Sequence, residues 1–231
     1  MNGLARLLAI SILLLLANET TASGLGGVVH PIAPAAPELA AAVQGLPACA
    51  RDHVHIFLLN GLDPARVGNL VGLGDFVRSL GFEHVYYGEL WNGHRTANEV
   101  RRIHREDSVA RIVLLGYSFG ANLVRWITHE VARDGIKIDV LIYLVGDTVF
   151  DGPRSRPENA CRLINIRAWG FVLLAGGAIN GQDIAGAENV HLPGVRHLCV
   201  PMQPAVQEVL ARELVKLAAA CGGPQGSPGE P

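Results

Sequence analysis

The five residues Gly116-Tyr117-Ser118-Phe119-Gly120 are the part of this 231-residue chain best suited to covalent chemistry. A serine hydroxyl is a weak nucleophile until a neighbouring base takes its proton. Its backbone must also present it clear of its surroundings. Glycines two residues to either side let a strand and a helix approach closely around a very sharp turn. The run Arg111–Leu115 before the motif reads as a strand, and Leu123, Val124, Ile127 and Val131 after it recur at helical spacing. Ser118 is therefore the candidate nucleophile.

The base must reach that serine from a loop at the carboxyl edge of the sheet. Nine histidines compete for the role. His53 and His55 fall on the first strand and His84 at the start of another. His104 and His129 fall on helices, His30 precedes a proline, and His191 lies inside the last strand. His197 follows the end of that strand, in Asn189-Val190-His191-Leu192-Pro193-Gly194-Val195-Arg196-His197, and is the candidate base.

The elements that must position this pair alternate along the chain. His53–Leu59 reads as a strand ending in the turn Asn60–Gly61. Leu70, Leu73, Phe76, Val77 and Leu80 mark a helix stopped by Gly81. A short strand at 85–87, a polar helix over 97–106, the strand at 111–115 and the helix ending at Gly135 follow. Ile138–Val145 is almost wholly apolar, as a strand covered on both faces should be. Leu163–Ile166 and Asn189–Leu192 are two more short strands, and 203–220 is an amphipathic helix. Alternation of this kind predicts an α/β fold: a mostly parallel sheet with helices on both faces.

With the serine on such a turn and a histidine on the loop after the last strand, the chain from His53 to Ala220 resembles the α/β-hydrolase superfamily. The likeness is to its small lipase, esterase and thioesterase members. The resemblance implies the order serine, acid, histidine. Asp147, just past the strand ending at Val145, matches the acid position of pancreatic-type lipases. Asp183, in the long loop before His197, has the spacing of cutinase-like enzymes. The strand end favours Asp147, and both stay open; Asp151 and Glu188 read as solvated loop charges. The oxyanion hole carried over from the family uses the backbone amides of Phe119 and of Leu62, in Asn60-Gly61-Leu62-Asp63. Trp91, His94 and Arg95 either line the pocket or form a surface loop. Trp169–Leu174 is either a wall of an acyl pocket or a core strand. Only about 15 residues separate Val145 from Cys161, too few for a large cap domain.

These features imply a serine hydrolase acting on carboxylic esters or thioesters through an acyl-enzyme, with a small-molecule acyl ester as its partner and no cofactor. A peptidase or amidase could use the same groups, and a binding protein could keep the fold without turnover. The near balance of 19 basic and 21 acidic side chains shows no basic face for nucleic acid.

Residues 1–23 have the n-region, apolar run and small residues of a signal peptide or N-terminal anchor, which predicts a secreted or envelope location. Membrane contact is expected only through that segment, if uncleaved. Residues 24–47 read as an Ala/Gly/Pro-rich lead-in, 48–221 as the folded domain and 222–231 as a disordered tail. Four cysteines allow two disulfides in an oxidising compartment, and their spacing shows no metal pattern. Cys199 and Cys221 fall near opposite ends of the last helix, which favours Cys49 with Cys221 or with Cys161.

Overall fold

The computed structural model describes residues 35–63, 66–146, 153–169 and 182–221, without the side chains of Trp169 and Cys221. Six strands form one sheet in the order β2-β1-β3-β4-β5-β6. They are β1 (Val54–Leu59), β2 (Val85–Gly88), β3 (Arg111–Tyr117), β4 (Ile138–Leu144), β5 (Ala160–Trp169) and β6 (Glu188–Arg196). Every pairing is parallel. The helices are α1 (Pro37–Gln44), α2 (Ala48–Asp52), α3 (Leu70–Ser79), α4 (Gly93–Glu106), α5 (Gly120–Ala132) and α6 (Pro204–Cys221). The expected α/β architecture is what the chain adopts, and no large cap is present among the described residues.

The central strands are apolar along both faces because both faces are covered. Ile56, Leu58, Val113, Leu115, Ile142 and Ile164 join one core with residues of α1, α2, α3 and α6. Their alternates Phe57, Leu59, Ile112, Leu114, Leu141 and Leu163 join a second core with α4 and α5. That alternation is the strand period of two.

Strand order decides where a ligand can bind. After β1 the chain moves outward to β2, and after β3 it moves the other way through β4 and β5 to β6. Open α/β sheets bind ligands at such a reversal, outside the carboxyl ends of the strands. The carboxyl ends of β1 and β3 carry Asn60–Gly61 and Ser118.

Several elements differ from the sequence reading. The segment read as a loose lead-in contains α1, with Pro37 in its first turn and Val43 2% exposed; α1 and α2 both pack on α6. Helix α4 starts at Gly93, not Ala97, because a 3₁₀ turn at Leu90–Asn92, closed by a reciprocal capping pair between Glu89 and Asn92, leads straight into it. Strands β5 and β6 are longer than expected because polar side chains are interleaved with apolar ones and find partners. Arg162 pairs with Glu188 and Glu213, and Asn165 donates to Asn189 Oδ1 at 2.8 Å.

The Cys49–Cys161 pairing is not formed. Cys161 sits on β5, and β3 and β4 lie between β5 and the strand that follows α2. Three strand spacings are about 14 Å, twice the roughly 7 Å that a disulfide allows between Cα atoms. The Cys221 side chain, the tail 222–231 and residues 1–34 lie outside the described residues.

Candidate active site

Strand β3 ends at Tyr117 and α5 opens at Gly120, so two residues make the whole turn. Ser118 takes φ 56°, a left-handed conformation that a serine adopts only under constraint. The constraint is visible on both sides. The Ser118 amide donates to the Leu144 carbonyl of β4 at 2.9 Å, and its carbonyl accepts from the Ala121 amide at 3.0 Å. A methyl group at Gly116 would lie 2.2 Å from the Gly120 carbonyl oxygen, and one at Gly120 would lie 2.1 Å from the Leu59 carbonyl oxygen. Only hydrogen fits at either place, so strand, turn and neighbouring strand close on one another around the serine.

The loop after β1 meets this elbow directly. A methyl at Gly61 would sit 2.7 Å from the Tyr117 carbonyl oxygen, 2.8 Å from the Phe119 nitrogen and 2.9 Å from Ser118 Cβ. Gly61 thus lies against the elbow, with Phe119 behind it and Leu62 next in sequence.

This loop is held by side chains the sequence reading passed over. Asn60, 1% exposed, accepts the Gly61 amide on Oδ1 at 3.0 Å and donates through Nδ2 to Glu89 Oε2 at 3.2 Å. Glu89 also accepts from the Tyr87 hydroxyl at 2.9 Å and pairs with Arg66 at 3.8 Å. Burial, with Glu89 second, pushes the Tyr87 phenol well above its usual pKa, so it remains a donor. Asp63, 7% exposed, accepts the amides of Val67 at 3.0 Å and Gly68 at 2.7 Å. The one sequence signal for this bracket was the Glu89/Asn92 spacing, a capping pair three residues apart.

His197 opens the short 3₁₀ turn His197–Met202, which crosses back from the end of β6 against α3, β5 and α6. Its ring lies 5.4 Å from that of Tyr117, centroid to centroid, and its carbonyl accepts from the Tyr117 hydroxyl at 3.3 Å. Strand β6 is three places from β3, yet the turn delivers the histidine to the residue beside the serine. Tyr117, the residue before Ser118, thus touches His197 directly. The imidazole is 8% exposed, and burial lowers its pKa from 6.5 to about 4, because desolvation disfavours the cation. It is neutral at pH 7 and able to accept a proton. Its Nδ1 is buried and has no hydrogen-bond partner among the described residues.

The two candidate acids fare differently. The Asp183 side chain is 72% exposed and paired with Arg167 at 2.5 Å. Asp147 and Asp151 lie outside the described residues. The chain leading to Asp147 departs from β4 through Val145, buried and at φ 47°. A left-handed β-branched residue is a true outlier, and such outliers cluster at functional sites. Glu188 is engaged by Arg162 and Arg212. Trp91 is 81% exposed, and His94 packs edge-on to Trp126 at 4.8 Å. The stretch 170–174 lies outside the described residues.

The all-parallel sheet, the strained serine between β3 and α5 and the histidine after the last strand decide the architecture. It is an α/β fold built on one all-parallel six-stranded sheet. Among solved structures, 32 chains match. A predicted CIB-like hydrolase from Thermoplasma acidophilum is 14% identical, with 71% of this chain and 87% of that one covered at a TM-score of 0.47. Human thioesterase 2 is 7% identical, covering 75% and 99% at 0.47. Aspergillus fumigatus lipase B is 15% identical, covering 90% and 75% at 0.41. No family model matches the sequence, and no curated protein does.

Proposed function

We propose that the chain is a serine hydrolase of carboxylic esters or thioesters. Ser118 is the nucleophile, His197 the general base, Asp147 the acid, and the amides of Phe119 and Leu62 the oxyanion hole. The observation that carries this reading is the buried, neutral His197 imidazole seated on Tyr117, beside a serine held at φ 56°.

In the reaction, His197 takes the proton of Ser118 Oγ as the oxygen attacks the acyl carbon. The carbonyl oxygen gains the negative charge, which the two amides stabilise. His197 then gives its proton to the leaving alcohol or thiol, and water repeats the sequence on the acyl-enzyme, returning a carboxylic acid and free Ser118. The Nδ1 of His197, unpartnered among the described residues, needs an acceptor that fixes the tautomer and stabilises the imidazolium. Asp183 suits this poorly, being exposed and held by Arg167, while the strained exit from β4 supports Asp147. The short connection between β4 and β5 favours substrates of modest size that need no lid. The signal-like residues 1–23 support export from the cytoplasm.

The test is labelling of the purified protein by a fluorophosphonate probe, with Ser118→Ala, His197→Ala, Asp147→Asn and Asp183→Asn beside it. Wild type should label and Ser118→Ala should not. Asp147→Asn should lower the hydrolysis of p-nitrophenyl esters by about 10³-fold or more, with Asp183→Asn close to wild type. Unlabelled wild type would remove the catalytic reading and leave a binding protein on this fold.

A further inference from the structure

Tyr117 closes β3 and is fully buried. A tyrosine placed that deep needs a partner for its hydroxyl. Here the hydroxyl donates to the His197 carbonyl at 3.3 Å, while its ring lies 5.4 Å from the imidazole, centroid to centroid. One side chain therefore meets His197 twice, at its backbone and at its ring. The bond to the backbone bears on where the imidazole stands, because the carbonyl and the ring belong to the same residue at the head of the 3₁₀ turn.

The phenol is itself held by the segment leading into α3. A methyl at Gly68 would lie 2.8 Å from Tyr117 Cε1, 2.9 Å from the hydroxyl oxygen and 3.0 Å from Cζ. The Gly68 backbone thus rests on the hydroxyl end of the ring, and a side chain there would push it. Gly68 is fixed in turn by Asp63, whose buried carboxylate accepts the Gly68 amide on Oδ2 at 2.7 Å and the Val67 amide on Oδ1 at 3.0 Å. Charged acceptors of this kind make the stronger hydrogen bonds of a fold. On the far side of Gly68, Asn69 takes φ 51° and caps α3 by accepting the Gly72 amide at 3.1 Å. The Asp63 carbonyl also accepts from Asn60 Nδ2 at 3.3 Å, so the residue after Leu62 is tied to both ends of this arrangement.

On the reading of His197 as the base of Ser118, we propose that Tyr117 is a positioning residue for that base. Asp63 sets Gly68, Gly68 sets the phenol, and the phenol sets the His197 backbone and with it the imidazole. Tyr117 takes no proton and touches no substrate in this role. Its effect is on the distance and angle at which His197 meets the serine hydroxyl, where a misplacement of about 1 Å can cost on the order of 10²-fold in rate.

The experiment uses the full protein and separates placement from packing. Tyr117→Phe keeps the ring and removes the hydroxyl. Gly68→Ala pushes the phenol from the α3 side. Tyr86→Phe is the control, removing a hydroxyl that meets another histidine, His55 Nδ1, at 3.2 Å. The readouts are kcat and KM for a p-nitrophenyl ester and the imidazole NMR resonances of His197, assigned with His197→Ala. Tyr117→Phe and Gly68→Ala should each lower kcat by about tenfold with KM held within about twofold, and both should move the His197 resonances. Tyr86→Phe should match wild type in every readout. Tyr117→Phe must show both the kcat loss and the moved resonances: either one missing overturns the proposal, as does an equal effect in Tyr86→Phe. A wild type that turns over no ester is the separate failure of the catalytic reading, and there the His197 resonances alone decide whether Tyr117 places that ring. Thermal melting checks that each variant is folded, and if Gly68→Ala is not, Tyr117→Phe decides.

Discussion

At the scale of single residues, the deciding angle is φ 56° at Ser118, and the deciding atom is Nδ1 of His197. Burial keeps the imidazole neutral, with its pKa lowered from 6.5 to about 4. A base acts only when unprotonated, so activity should be lost on the acid side as His197 takes up a proton. The acid limb of kcat/KM for a p-nitrophenyl ester should therefore fall below pH 6.5, displaced toward 4. A limb centred at or above 6.5 would show that His197 is not the titrating base. The places of Ser118 and His197 in the fold could be read from the chain because each follows a strand end. Tyr117, which joins them, could not: it is an unspecified position of the motif, and its contact depends on a turn eighty residues later.

At the scale of elements, the loop after β1 is shaped by the Asn60–Glu89–Tyr87 bracket, which spans the carboxyl ends of β1 and β2. One carboxylate accepts from two donors, on Oε2 and Oε1. Glutamine in its place would offer one oxygen and turn an amide toward a donor. Glu89→Gln should thus let the Leu62 amide drift from the elbow. The expected result is a kcat about tenfold lower with little change in KM and a retained melting transition. A change in KM alone would assign Glu89 to substrate binding instead. Strand and helix order were legible because apolar periodicity carries them, and the boundaries of β5 and β6 were not. Arg162, Asn165 and Arg167 interrupt the apolar pattern of β5, and only their partners on β6, on α6 and in the loop before β6 show why a strand tolerates them. The acid was not legible for a related reason: carboxylates follow several strand ends, and the serine motif says nothing of which one faces the histidine.

For the molecule as a whole, two buried imidazoles make stability depend on pH. His55, 7% exposed and stacked on His84 at 4.5 Å, also has its pKa lowered to about 4, first by burial and then by His84. Below 6.5 the unfolded chain takes up protons that these folded histidines refuse, so stability is complete above that value and drains away as pH falls toward 4. Each unit of such a shift is worth about 1.4 kcal/mol at full burial. The melting temperature should decline steadily between pH 6.5 and 4, and His55→Phe should flatten that decline. A flat profile in wild type would show that these rings are hydrated in solution.

The close fit of Gly116 and Gly120 around the serine has a consequence for ancestry. Those two positions answer to folding, whereas Ser118, under the proposed function, answers to chemistry and to its left-handed angle alone. A descendant released from turnover could exchange Ser118 for asparagine or glycine, which accept that angle readily, long before it could alter either flanking glycine. Copies of this chain that had retired from catalysis would keep both glycines and the loop that leans on them, with the hydroxyl gone from between.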